Sequence, residues 1–230
     1  MRPLTILLLI AFPILARSEN PDILYLPHLL DDPSQDERRH QIVVLAEKYR
    51  TTPDKEFSTA VLASLVRSPG PEYSRRERAS ITELAGRLDD PKMIPFLIEH
   101  VTDTGPASQP PGLSIGLPVG LPSPYATALC FYPKHTLGPL LDAMEKSKNP
   151  EFDRAVASTI DGMGYITFLL IERCKTIKPN SKVFDFVAQR LKDSPQIIEL
   201  IDDAIAAETK RSNKKNLVQM KKKIAGSLNP

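Results

Sequence analysis

Pro91-Lys-Met-Ile-Pro-Phe-Leu-Ile-Glu-His-Val101 decides how this chain is read. Its residues Ile94, Leu97, Ile98 and Val101 fall at i, i+3, i+4 and i+7, the spacing that places four side chains on one face of an α-helix. Pro133-Lys-His-Thr-Leu-Gly-Pro-Leu-Leu-Asp-Ala-Met144 repeats the outline. Proline-lysine comes first, then Pro-Leu-Leu where the earlier segment has Pro-Phe-Leu, then an acid. The offset is 42 residues at the first proline and 44 at the second. The later segment has its own stripe, Leu137, Leu140, Leu141 and Met144.

The same spacing recurs on both sides. Ile42, Leu45, Ala46 and Tyr49 form one stripe, Phe57, Ala60, Val61 and Leu65 a close variant, and Ile81, Leu84, Ala85 and Leu88 a third. Towards the C-terminus come Val156, Thr159, Ile160 and Met163, then Phe184, Val187, Ala188 and Leu191, then Ile197, Leu200, Ile201 and Ala204. Eight stripes of three to four turns, with little convincing strand between them, predict an all-α chain. Five pairs mark helix starts: Asp32-Pro33, Thr52-Pro53, Asp90-Pro91, Asn149-Pro150 and Ser194-Pro195. The first residue of each can accept a bond from a free amide of the first turn, and proline at the first helical position gives up no hydrogen bond. Their spacing is uneven, so they predict an irregular array. Gly162-Met-Gly164 should break the segment from Pro150 to Ile177 into the two helices of a hairpin.

An offset of 42 to 44 residues, with an acid-proline turn leading into a helix, resembles the HEAT or armadillo-like α-solenoid group. The likeness is best over residues 71–144. It implies an irregular stack of antiparallel helical hairpins, a HEAT-like α-α superhelix that works by binding. The group has no catalytic motif, so the resemblance transfers no functional residue.

Residues 1–18 read as a signal peptide. Arg2 supplies the positive end, Leu4 to Ala16 the apolar stretch, and Ala16-Arg17-Ser18 a small-x-small cleavage pattern near Ser18. Thirteen apolar-region residues interrupted by Pro13 are too few to span a bilayer of about 30 Å, which argues against an uncleaved anchor. The expectation is an exported chain, periplasmic or secreted, with residues 19–230 as a single helical domain. Net charge is +2, but unevenly spread. Residues 210–230 carry seven basic side chains and no acid, whereas residues 19–209 carry 21 basic against 28 acidic ones. Export makes a Cys130–Cys174 disulfide chemically feasible; the alternative is two buried thiols.

Catalytic motifs fail on context. Gly112-Leu-Ser114-Ile-Gly116 matches a nucleophile elbow, but that pattern needs a strand-to-helix turn and a histidine after the acid. The histidines are His28, His40, His100 and His135, and none follows Asp142. They show no metal spacing, although His100 and His135, beside Glu99 and Asp142, could approach across neighbouring hairpins. No enzyme activity, cofactor or metal is expected. With no tryptophan and 6% aromatic residues, stacking on nucleic acid is not expected either.

Two segments remain as candidate contacts. Residues 105–124 hold six prolines and four glycines, cannot be helical, and are apolar. Their Leu113, Ile115, Leu117 and Leu121 either cover hydrophobic surface or reach a partner. Residues 210–230 can form a last basic helix with Leu217, Met220 and Ile224 on one side and Lys214, Lys215, Lys221, Lys222 and Lys223 around them. That helix either caps the array with a polar face or meets an anionic surface. The expected function is non-catalytic protein binding in the envelope or outside the cell. The alternative is binding of anionic polymer or lipid through the basic segment.

Overall fold

A computed structural model describes residues 20–31, 35–70, 73–103, 123–194 and 196–228, and among them every regular element is a helix. Residues 1–18, read above as a signal peptide, and Leu113, Ile115, Leu117 and Leu121 lie outside the described residues. In chain order the helices are α1 (Pro21–Asp31), α2 (Gln35–Thr51), α3 (Lys55–Arg67), α4 (Arg75–Leu88), α5 (Ile94–Glu99) and α6 (Pro124–Leu129). There follow α7 (Pro133–Lys146), α8 (Pro150–Gly162), α9 (Thr167–Cys174), α10 (Lys182–Lys192), α11 (Ile197–Ala207) and α12 (Arg211–Leu228).

The stripes become the core. Of the residues named in the eight of them, all are buried except Leu200 and Ala204, which are half-buried against the core. Consecutive helices pack in pairs, α1 on α2, α3 on α4, and so on to α11 on α12. The even helices α2, α4, α6 and α8 also pack in series, as do the odd helices α5, α7 and α9. The two echoing proline segments become α5 and α7, which pack on each other.

Local chemistry sets the starts, and differs from the sequence expectation in places. Asn149 does cap α8, its Oδ1 accepting from the Glu151 amide at 2.9 Å with Pro150 in the first turn. Thr52 does not cap α3; Asp54 does, accepting from the Phe57 amide at 3.0 Å. A carboxylate two residues closer to the helix wins the capping role. Asp90 instead closes a turn over Pro91–Met93, accepting the Lys92 amide at 2.9 Å, and α5 begins only at Ile94. Ser194 does not cap α11, whose cap is Gln196 at φ 58°. Asp32-Pro33 lies outside the described residues.

Three further expectations are corrected. The segment at 91–101 holds a six-residue helix rather than three to four turns, while its echo is a 14-residue helix. Pro95 stands in the first turn of α5, where its missing amide gives up no helical bond, whereas Pro139 lies inside α7 and the helix runs through it. The Pro/Gly segment does not extend to Pro124, because Ser123 caps α6 and Pro124 opens it. Gly162-Met-Gly164 does break the chain, with Gly164 at φ 71°, a backbone region open to glycine at little cost. Yet α8 and α9 are not partners: α8 packs on α6 and α7, and α9 on α7, α10 and α12.

Candidate interaction surfaces

The described residues at the two roots of the Pro/Gly segment are held together. Tyr125, 1% exposed, lies with its ring 6.2 Å from Phe96 and 5.4 Å from His100 of the preceding helix end. Its hydroxyl meets Ser68 Oγ at 3.1 Å, and Ser68 Oγ donates to the Leu65 carbonyl at 2.7 Å. Burial pushes the Tyr125 phenol above its ordinary pKa, against a smaller lowering from the Ser68 bond, so the hydroxyl stays protonated at neutral pH. His100 Nδ1 lies 2.6 Å from Asp103 Oδ2. Residues 103 and 123 therefore leave a fixed pedestal.

The basic segment is a packed helix. Leu217, Met220 and Ile224 are each 0% exposed, and α12 lies against α9, α10 and α11. Asn216 Nδ2 donates to the Lys175 carbonyl at 3.0 Å and the Ile177 carbonyl at 3.3 Å, which fixes the helix's rotation. Two candidate lysines are taken up within the protein: Lys221 bonds Asp202 at 2.6 Å and Lys223 bonds Asp185 at 2.8 Å. Lys214, Lys215 and Lys222 are exposed.

The structure adds a surface that the sequence reading missed. Tyr165 is fully exposed and Phe168 is 69% exposed, just before and at the start of α9. A signal for Phe168 was there: buried Ile166, Leu170, Ile171 and Cys174 define the inner face, and position 168 falls off it. The turn is anchored by the Ile166 amide on the Gly164 carbonyl at 2.7 Å and by Thr167 Oγ1 against Ser194 Oγ at 3.3 Å.

His100, His135 and Asp142 are taken up in structural pairs. His135 Nδ1 stands 2.7 and 2.8 Å from the two oxygens of Asp89, linking the end of α4 to the start of α7. Asp142, offered by the sequence as a neighbour for the histidines, instead accepts from Arg173 at 2.8 Å. Among the described residues, no three His, Cys, Asp or Glu side chains converge as metal ligands. No described helix is long and apolar enough to cross a membrane.

Both cysteines are free thiols, and burial pushes each from an ordinary 9.0 up to about 12. The Cys130 thiol also donates to the Ala126 carbonyl at 3.3 Å and the Thr159 carbonyl at 3.4 Å. Folded thiols that keep their protons while unfolded ones lose them make the unfolded chain the weaker proton binder above 9.0. Stability should therefore fall as pH rises from that value towards 12. Urea midpoints across that range should drop for the native chain and drop less for Cys130→Ala/Cys174→Ala. Parallel pH profiles would contradict the assignment.

Comparison with known proteins gives no match: no family model fits the chain, and no curated protein or solved structure is similar to it at a significant level.

Proposed function

We propose that this protein is an exported, non-enzymatic binding module, a short HEAT-like helical array that presents a rigid surface to a protein partner. The pair-on-pair packing of its helices supports the array reading, since helices stacked in two layers leave long faces free to vary in sequence. The observation that carries the binding reading is the exposure of Tyr165 and Phe168 together on an anchored turn. Isolated exposed apolar residues are ordinary, but two neighbouring aromatics each offer about 150–250 Å² of contact area and belong to the residue class enriched in interfaces.

The test is affinity capture from the envelope extract of the source cells, using the native chain and Tyr165→Ser/Phe168→Ser. A protein held stoichiometrically by the native chain should be depleted about 30-fold by the variant, as expected for losing about 2 kcal/mol of hot-spot contact. Equal recovery by both chains, or recovery of acidic polymers alone, overturns the reading.

A further inference from the structure

We infer that the outer face of α12 is a peripheral docking surface for an anionic lipid bilayer. The inner face is fixed by Leu217, Met220 and Ile224, all 0% exposed. At about 100° per residue, the opposite side carries Arg211, Lys214, Lys215, Val218 and Lys222 within an arc of about 100°. The four basic side chains are exposed, and Val218 among them is 37% exposed. From Arg211 to Lys222 this ridge is about 16 Å long. No acid occurs between Thr209 and Leu228. Lys221 and Lys223, on the flanks, are engaged by Asp202 and Asp185, so the charges left unspent point one way. Asn216 keeps them there by gripping the carbonyls of Lys175 and Ile177.

The form of this ridge favours a membrane over a soluble polyanion. The exposed basic side chains lie along one ridge about 16 Å long, and their flexible stems let their charges reach a flat anionic surface together. A flexible polymer would have to follow a convex ridge, and α12 has no aromatic residue on which nucleic-acid bases stack. The apolar face of α12 is already used inside the protein, so it cannot insert as an amphipathic helix does. Binding is electrostatic, worth about fivefold in partition per basic residue and weakened by salt. This surface is independent of the Tyr165–Phe168 turn, and either can fail without the other.

The test is sedimentation of the full chain with equimolar phosphatidylglycerol–phosphatidylcholine vesicles, and with phosphatidylcholine vesicles alone. The native chain should sediment with the anionic vesicles at low salt, release at about 300 mM NaCl, and ignore the neutral vesicles. Lys214→Gln/Lys215→Gln/Lys222→Gln should lower partition by roughly 100-fold. A charge-matched control, Lys92→Gln/Lys134→Gln/Lys148→Gln, alters exposed residues of other elements and should stay within about threefold of native. Circular dichroism confirms folding of each, since all six side chains are exposed. Three results overturn the inference: no binding to anionic vesicles, equal loss in both variants, or binding to soluble polyphosphate without vesicle binding.

Discussion

Gly86→Ala should destabilise this protein by about 3 kcal/mol, the opposite of what the change does in an ordinary helix. In an exposed helix interior, alanine is better than glycine by roughly 0.5–1 kcal/mol, because glycine loses more backbone freedom on folding. Gly86 is in α4 where that helix meets α6. A Cβ there would lie 2.7 Å from the Ala128 carbonyl oxygen and 2.8 Å from the Ala128 Cα and Cβ. Two of those three atoms are backbone, so no side-chain rotation relieves the clash. The helices must separate, and the loss is shared by the fully buried neighbours Ile81, Leu84 and Leu129. At roughly 2–4 °C per kcal/mol for a chain of this size, the melting temperature should fall by about 6–12 °C. Ala128→Gly added to Gly86→Ala should recover only part of this, because it removes the Cβ and leaves the carbonyl. Thermal and urea midpoints of the three variants test the account, and a Gly86→Ala midpoint at or above native would refute it.

That contact also marks where sequence reading stops. The eight stripes were legible because a period of 3.6 is written in each segment alone, and burial follows from it. Gly86 looks on the same basis like a weak point in a helix; only the placement of Ala128, 42 residues on, turns it into a close-approach site. Helix α6 was missed because its Ser123-Pro124 start adjoins the Pro/Gly segment, although the pair has the same chemistry as the Asn149-Pro150 start that was found. The cap-proline rule failed at Thr52 because Asp54 stands nearer the first amides, and at Ser194 because α11 is entered through Gln196 in a left-handed turn with no side-chain cap bond at all. Among the candidate site residues, the basic character of α12 was visible, but not which lysines are spent. Lys221 and Lys223 find their acids 19 and 38 positions earlier, in α11 and α10. Tyr165 escaped because exposure is a property of the assembled surface, whereas Phe168 lies off the inner face of α9, a helix that none of the eight stripes covers.

Removal of residues 211–230 should then abolish the folded state of the C-terminal helices rather than trim a charged tail. Leu217, Met220 and Ile224 are each 0% exposed, and burial of such side chains contributes about 1.5–3 kcal/mol apiece. The deletion also uncovers the faces of α9, α10 and α11 against which α12 packs. It leaves the carbonyls of Lys175 and Ile177 without Asn216. The ion pairs to Asp202 and Asp185 matter little beside this, because exposed pairs are worth about 0–1 kcal/mol. A combined loss above about 5 kcal/mol is a large share of the 5–15 kcal/mol that holds a domain together. The truncated chain should aggregate or become protease-sensitive from α9 onward, and Leu217→Ser/Met220→Ser/Ile224→Ser should reproduce that in the full chain. Lys214→Gln/Lys215→Gln/Lys222→Gln should keep the native melting temperature. Limited proteolysis and thermal melts of the three proteins separate the roles: the inner face of α12 holds the fold, and only its outer face is free to bind. A truncated chain with native melting behaviour would show that α12 is an appendage and not a part of the core.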